Sequence, residues 1–319
     1  MLPLSLRQLQ VFESVARHLN HSRAAAELFL SQPAVSMQIK QAEQTIGLPL
    51  FEQVGKTLFL TEAGREMLHY ARAVLQLMQE MEGVFDAMKG LEHGHLNITA
   101  VSTANYFMPQ LLARFIQAHP RIQVGLSVAN RDAVMRQLAD NIADLAIMGQ
   151  PPQGTDMLAE SFLPNPLVVI AAPAHPLAKR KKIKAQNLAS ETFLLREKGS
   201  GTRAVVERYF DSHALPLPAH MEMDTNEAIK QSVQAGMGIG IISRHAIELE
   251  LETRRLLVLD VEEFPIVRHW YLVQRKDKRP SLASAEFERF LLSQSHNAGA
   301  ASVAGSTARQ NKSGPKAAS

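Results

Sequence analysis

Residues 22–48, SRAAAELFLSQPAVSMQIKQAEQTIGL, place two short apolar-periodic segments on either side of Leu28-Phe29-Leu30-Ser31. Ala24, Ala25 and Leu28 recur at helical spacing, and so do Val35, Ile39 and Ala42. Ser31 stands where an N-cap is wanted, and Pro33 falls in the first turn, where a missing N–H costs little. A second helix therefore starts abruptly, with Gln32, Ser36, Met37 and Lys40 on its outward face. Small and amide side chains at the N-terminal end of such a helix suit insertion into a DNA major groove. The same pattern also suits an ordinary helical hairpin in a bundle, so the flanking sequence has to decide.

The flanks favour DNA. Residues 5–17 read as a first helix with Leu6, Leu9, Val11, Phe12, Val15 and Ala16 on a broad apolar face. Leu50 to Leu60 reads as two short strands around Gly55-Lys56, which makes a helix-turn-helix with a wing. Lys56 at the tip either reaches a phosphate or is a solvated turn lysine. Thr61 then caps a helix over 62–90, roughly 40 Å long at 1.5 Å per residue. Met67, Val74, Met81 and Met88 recur every seven residues, and Tyr70, Leu77, Val84 and Leu91 lie three further on in each case. That is an a/d seam, which needs a covering surface. The chain's own next domain would serve, but a seam this narrow and sustained points to dimerisation.

A chain of 319 residues has room for two or three domains at about 150 residues each. Its 46% hydrophobic and 20% charged content fits globular structure. There is no apolar run long enough for a membrane span and no secretory pattern at the start. Without cysteine there are no disulfides, thiolate zinc sites or thiol nucleophiles, which is compatible with the cytoplasm. The net charge of +3 equals what Arg309, Lys312 and Lys316 contribute in the acid-free stretch 295–319. Residues 1–60 carry Arg7, Arg17, Arg23, Lys40 and Lys56 against Glu13, Glu27, Glu43 and Glu52. The DNA argument thus rests on helix geometry and not on basicity.

From Gly94 the pattern changes to short strands alternating with helices. Residues 96–101, 122–128, 144–149 and 167–172 are strand-like, with helices over 104–118 and 131–140. A second series has strands at 193–196, 220–223, 237–243, 256–261 and 269–274, and helices near 202–213, 226–235, 245–252 and 282–293. Such alternation predicts an α/β fold with mostly parallel sheets, in two lobes flanking a crevice. The Ala/Ser/Gly/Lys-rich residues 295–319 are expected to be disordered.

These residues resemble the LysR-type transcriptional regulators. The carriers are LRQLQVFESVARHLNHSRAAAELFLSQPAVSMQIKQAEQTIGLPLFEQVGKTLFLTEAGR (6–65) and the strand–helix series after it. Within that family, PAVSMQIKQ (33–41), FLLREKGSGTR (193–203), MEMDTNEAIKQSVQAG (221–236) and FPIVRHWYLV (264–273) are similar to the Calvin-cycle (RuBisCO) operon regulators, the CbbR group. The resemblance implies a winged helix-turn-helix domain over 1–61, with its helix-turn-helix motif at 21–40, and a linker and dimerisation helix over 62–91. It implies a two-lobed effector domain of the periplasmic-binding-protein type (type 2) over 92–294. Lobe 1 would take about 92–163 plus 268–294, and lobe 2 about 164–267. It further implies binding to inverted-repeat operator DNA, a dimer or tetramer, action on RNA polymerase, cytoplasmic location and activation of a carbon-fixation operon. The alternative is a LysR-type regulator of another operon with a different anionic effector. By motif position the DNA-facing residues would be Ser22, Arg23, Ser31, Gln32, Pro33, Ser36, Met37, Lys40, Gln53 and Lys56. Many members have arginine where this chain has Met37, Gln53 and Lys56. Met37 makes no bidentate contact to guanine, so an operator sequence does not transfer from other members.

Three helix N-termini are expected to converge on the crevice, after Val101-Ser102-Thr103, after Gly199-Ser200-Gly201-Thr202 and after Asp224-Thr225-Asn226. Hydroxyls and free N–H groups at helix starts favour anions, although each hydroxyl would also serve as a plain cap. Arg203 adds a cation beside the second, and Asn130, Arg131, Met148 and Gly149 would line the facing wall. A phosphorylated metabolite fits such a site, and the resemblance adds phosphoenolpyruvate, ribulose bisphosphate and NADPH as candidates. No catalytic residue, cofactor or metal is assigned. Gly236-Met237-Gly238-Ile239-Gly240 opens a strand and so is not a dinucleotide loop, and His93-Gly94-His95 lacks a third ligand. Lys179-Arg180-Lys181-Lys182 reads as a solvated loop. An enzyme or solute receptor on a two-lobed fold would need neither the helix pair nor the seam.

Overall fold

The computed structural model describes residues 3–55, 57–88, 94–152, 156–217 and 219–294, with the side chains of residues 80, 86–88, 219 and 220 excluded. Lys56, Leu91, His93 and the 295–319 tail therefore lie outside the described residues. Two compact units result, one ending at His93 and the other starting at Gly94, apart from a short excursion at Ala139–Ile142.

In the first unit, α1 (Leu6–His18) opens on a capping box between Ser5 and Gln8. Asn20 caps α2 (His21–Glu27). Ser31 caps α3 (Gln32–Ile46) by accepting the Ala34 N–H, and Gly47 ends it at φ 81°. Val11, Phe12, Val15, Ala24, Val35, Ile39 and Ala42 bury together as the trihelical core. The wing follows as β1 (Phe51–Val54) paired antiparallel with β2 (Thr57–Leu60). The Thr61 hydroxyl accepts the Gly64 N–H at the start of α4 (Glu62–Met88). A Cβ at Gly64 would lie 2.0 Å from the Leu50 carbonyl oxygen, so the wing closes onto the helix only because that side chain is missing.

Phe29, in the turn between α2 and α3, holds a left-handed φ of 54° and is 96% exposed. A bulky side chain in that region stores about 1 kcal/mol of strain and here recovers nothing by burial. Phe29→Asn should therefore raise stability by about 0.5–1 kcal/mol, read as a higher thermal midpoint of the full chain.

The second unit contains β3 (Gly94–Val101), the 3₁₀ turn Ser102–Tyr106, α5 (Met108–Ala118), β4 (Ile122–Ala129), α6 (Arg131–Ala139) and β5 (Leu145–Met148). Then β6 (Met157–Ala171) carries the chain into lobe 2. Lobe 2 holds α7 (Ala185–Leu188), β7 (Phe193–Arg196), α8 (Gly201–Ser212), β8 (Ala219–Met223), α9 (Asn226–Gln234), β9 (Ile239–Ser243), α10 (Glu248–Glu252) and β10 (Leu257–Val258). β11 (Ile266–Arg275) returns to lobe 1, and a helix over 282–294 packs there through Phe287 and Leu291. The strand order is β4-β3-β5-β11-β6-β9-β7-β8, with β10 on β6.

The expectation of mostly parallel sheets is corrected by the two crossing strands. Neighbours β3/β4, β3/β5, β7/β8 and β7/β9 are parallel, whereas β6 and β11 pair antiparallel with each other and with β9 and β5. One strand leaves lobe 1 and the other re-enters it, so they must run in opposite directions. The strand expected at 167–172 is the second half of β6; Pro164 and Pro166 mask its continuity in sequence. Of the strand expected at 256–261, only Leu257–Val258 pairs with β6, and Val261 makes an isolated bridge to Ile183. Gly238 takes φ 155° with its would-be Cβ 2.3 Å from the Thr192 carbonyl oxygen and Gly240 packs against Ile229, whereas Gly236 has open space and a left-handed φ of 78°.

Candidate functional site: a helix-turn-helix face and a donor-lined crevice

Val35 and Ile39 anchor one side of α3, which leaves Gln32, Pro33, Met37 and Lys40 exposed on the other; Ser31 is exposed at its cap. Ser36 is half-buried and receives a hydrogen bond from Gln32 Nε2 at 3.0 Å, so the two side chains are held as a pair one turn apart. Ser22 and Arg23 are exposed at the start of α2, and their N–H groups donate to Asn20 Oδ1. In the wing Gln53 is exposed and donates to the Gly55 carbonyl at 3.1 Å.

Along α4, Tyr70 (64%), Val74 (42%), Leu77 (65%), Met81 (44%) and Val84 (40%) are exposed apolar side chains. Met67 departs from the expected seam. It is partly buried against the first unit's own core, because the first turns of α4 close the trihelical domain. The free stripe thus begins at Tyr70. Met88 belongs to α4, but its side chain is outside those described.

In the second unit a cavity of about 40 Å³ opens between the lobes. From lobe 1 it is lined by Ser102 and Thr103 after β3, Asn130 and Arg131 after β4, and Met148, Gly149 and Gln150 after β5. From lobe 2 come Arg196 and Glu197 at the end of β7 and Ser200, Gly201 and Thr202 at the start of α8. Arg268 and Trp270 of β11 form its floor. Strand C-termini and helix starts meet here because each parallel βα unit ends at this edge.

Arg196 is buried and fully engaged. It forms a two-point pair with Glu197 (2.7 and 2.8 Å) and donates to Asn226 Oδ1 (2.8 Å), Ser102 Oγ (3.3 Å) and the Asp224 carbonyl (3.2 Å). Among the described residues Arg268 faces no carboxylate; it donates to the Gly201 carbonyl at 3.0 Å and Thr202 Oγ1 at 2.9 Å. Burial, with the like charges of Arg208 and Arg196, pushes its guanidinium down to about 10. Arg268 Nε, Trp270 Nε1 and Asn165 Nδ2 are buried donors with no acceptor among the described residues. Asn165 stands opposite Arg268 in the β6–β11 register.

Three expected lining residues are placed elsewhere. Thr225 is exposed and accepts the Ala228 N–H as the cap of α9. Asn226 is buried behind the cavity wall, where it bridges Arg196 and Thr103 Oγ1 (3.0 Å). The third helix start therefore braces Arg196 and does not reach the cavity. Arg203 points into an adjoining hollow of about 430 Å³ and is held by Glu207 (2.8 Å) and Glu222. Sequence reasoning missed Arg196, Glu197, Gln150, Arg268 and Trp270. The signal for the two arginines was a charge at the end of the apolar FLLR and within IVRHW.

A winged helix-turn-helix, an apolar-striped long helix and a two-lobed domain with a cationic crevice define a ligand-responsive DNA-binding regulator. Residues 6–65 match the bacterial regulatory helix-turn-helix protein, lysR family, and residues 89–295 match the LysR substrate binding domain. The chain belongs to the LysR family of transcriptional regulators. It is 53% identical over 291 residues to the RuBisCO operon transcriptional regulator of Allochromatium vinosum, covering 91% of this chain and 96% of that one. Among solved structures it matches the Synechocystis PCC6803 CcmR regulatory domain in complex with 2-PG, at 40% identity and TM-score 0.62, over 64% of this chain and 99% of that one. A full-length OxyR variant from Pseudomonas aeruginosa shares the fold at TM-score 0.73 and 22% identity, over 91% and 94% of the two chains.

Proposed function

We propose that this protein activates a Calvin-cycle carbon-fixation (RuBisCO) operon in response to a small phosphorylated metabolite bound between its lobes. The observation that carries the effector half is the surplus of buried N–H donors around Arg268 and Trp270, which an acceptor-rich ligand in the crevice would satisfy. The operon half rests on the similarity to the A. vinosum regulator. The 2-PG of the related CcmR domain supports a phosphorylated ligand for this pocket as well. Phosphoenolpyruvate, ribulose bisphosphate and NADPH are the other candidates.

In this reading a dimer, joined through α4, sets two α3 helices into successive major grooves of an inverted repeat in the cytoplasm. Tetramers form by pairing of dimers. Effector binding favours one arrangement of the lobes, and the change in DNA bending admits RNA polymerase. Only unequal affinity for the two arrangements drives such a shift. DNase footprints with and without each candidate test it, and identical footprints for all of them sink it.

The groove assignment has its own test. Gln32→Ala with Ser36→Ala removes a hydrogen-bonded pair from the exposed end of α3. Mobility shifts on an inverted-repeat fragment should show sequence-specific affinity down by about 10–100-fold, at ~1–3 kcal/mol for a good base contact, with nonspecific binding retained. Unchanged specificity would remove α3 from the groove.

A further inference from the structure

The outward side of α3 mixes two kinds of chemistry. Val35, Ile39 and Ala42 are buried and fix the inward side of the helix. At about 100° per residue, Met37 lies roughly 200° around the helix from Val35 and from Ile39, which aims it almost straight away from the core. Pro33, also exposed, sits one turn before it on the same ridge. Gln32 and Ser36, joined by their 3.0 Å hydrogen bond, form a polar row alongside, and Lys40 follows one turn after Ser36.

Met37 is 54% exposed, and among the described residues it is the one large apolar side chain of α3 left open to solvent. It takes no part in the trihelical core. The groups that such a side chain can usefully meet in a major groove are few. A thioether donates no hydrogen bond and accepts only weakly. Against guanine, cytosine or adenine it strips water from donors and acceptors and replaces none of it, which costs affinity. Thymine alone presents an apolar group there, its C5-methyl. An unbranched, adaptable side chain covers that methyl without strict geometry.

Resting on the reading that α3 enters the major groove, we infer that Met37 is a specificity-determining residue. Its thioether packs on a thymine methyl and selects an A·T pair at one position of each half-site, beside whatever bases Gln32 and Ser36 read by hydrogen bonds.

The test removes single methyl groups from the DNA. Full-length protein is titrated by mobility shift onto an inverted-repeat fragment that it binds sequence-specifically. Thymine is replaced by deoxyuridine at one symmetric pair of positions at a time, which deletes the methyl and leaves the hydrogen-bonding edge unchanged. One such pair is expected to weaken the wild type by about 4-fold per half-site, the worth of one buried carbon. Met37→Ala keeps the fold, because the site is exposed and alanine is the better helix former. It is expected to bind the thymine and deoxyuridine forms of that pair equally, and Met37→Leu is expected to keep the preference. A wild type with no methyl-sensitive pair would overturn the inference. So would Met37→Ala with the same deoxyuridine penalties as wild type, which would hand the methyl to Pro33. In either case the Gln32→Ala, Ser36→Ala protein separates the two failures. Loss of its sequence specificity leaves α3 in the groove without Met37 as a reader, and unchanged specificity removes both readings.

Discussion

Arg268→Met should give a regulator that is more stable without effector and deaf to it. The guanidinium is buried on β11 with no carboxylate partner among the described residues, and burial with nearby Arg208 and Arg196 holds it at about 10 against an ordinary 12.5. That difference amounts to at most ~3 kcal/mol disfavouring the cation in the folded state, partly offset by its two hydrogen bonds. Methionine replaces the aliphatic stem with an unbranched, uncharged side chain. A net gain of about 1 kcal/mol is expected, roughly 2–4 °C in thermal midpoint for a domain of about 200 residues. Because the folded-state value is lowered, the penalty is fully present below about pH 10 and eases as pH rises through it. The stability gap between variant and wild type should therefore narrow above about pH 10. Effector affinity should fall by 100-fold or more, since charge-assisted bonds of ~1.5–3 kcal/mol each are lost. Thermal melts with and without phosphoenolpyruvate read both effects. A variant that is destabilised and still stabilised by ligand would show that Arg268 is a structural brace.

The second large effect is Leu77→Glu. Leu77 is the most exposed apolar residue of the α4 stripe, at 65%, with Val74 and Met81 one turn away on either side. Glutamate is a good helix former and meets no packing in a single chain, so the fold should survive. In a twofold seam the substitution acts twice and sets two carboxylates near each other. Losing ~1.5–3 kcal/mol of burial per copy, plus that repulsion, should leave a monomer at micromolar concentration. Operator affinity should then drop by about 100-fold or more, because the second recognition helix no longer binds at high effective concentration. Sedimentation velocity and mobility shifts decide it, and a Leu77→Glu protein that still sediments as a dimer removes the stripe from the interface.

How much was legible in the sequence depended on the range of the interaction. The caps at Ser31 and Thr61, the apolar positions Val35, Ile39 and Ala42, and the FLLR strand are local patterns, and the structure has them where the residues put them. β6 was half read because Pro164 and Pro166 obey the rule that prolines break strands; only its pairing with β11 overrides that rule. Thr225 and Asn226 look like Ser102 and Thr103 in sequence, a hydroxyl and a polar neighbour at a helix start. What separates them is Arg196, which fills the space between Asn226 and Ser102.

The amino-acid order thus determined the helix-turn-helix, its capping, the exposed α3 face and the apolar period of α4, because each depends on contacts within a few turns of chain. It also marked which loops end strands and start helices. Tertiary structure alone decided which of those ends meet. It assigned Met67 to the first unit's own core, moved Arg203 and the α9 cap out of the cavity, and brought Arg268, Trp270 and Asn165 together from strands far apart in the chain. For Arg268, Trp270 and Asn165 the reason is antiparallel pairing of the two crossing strands, a register that no local propensity encodes and that only the assembled sheet fixes.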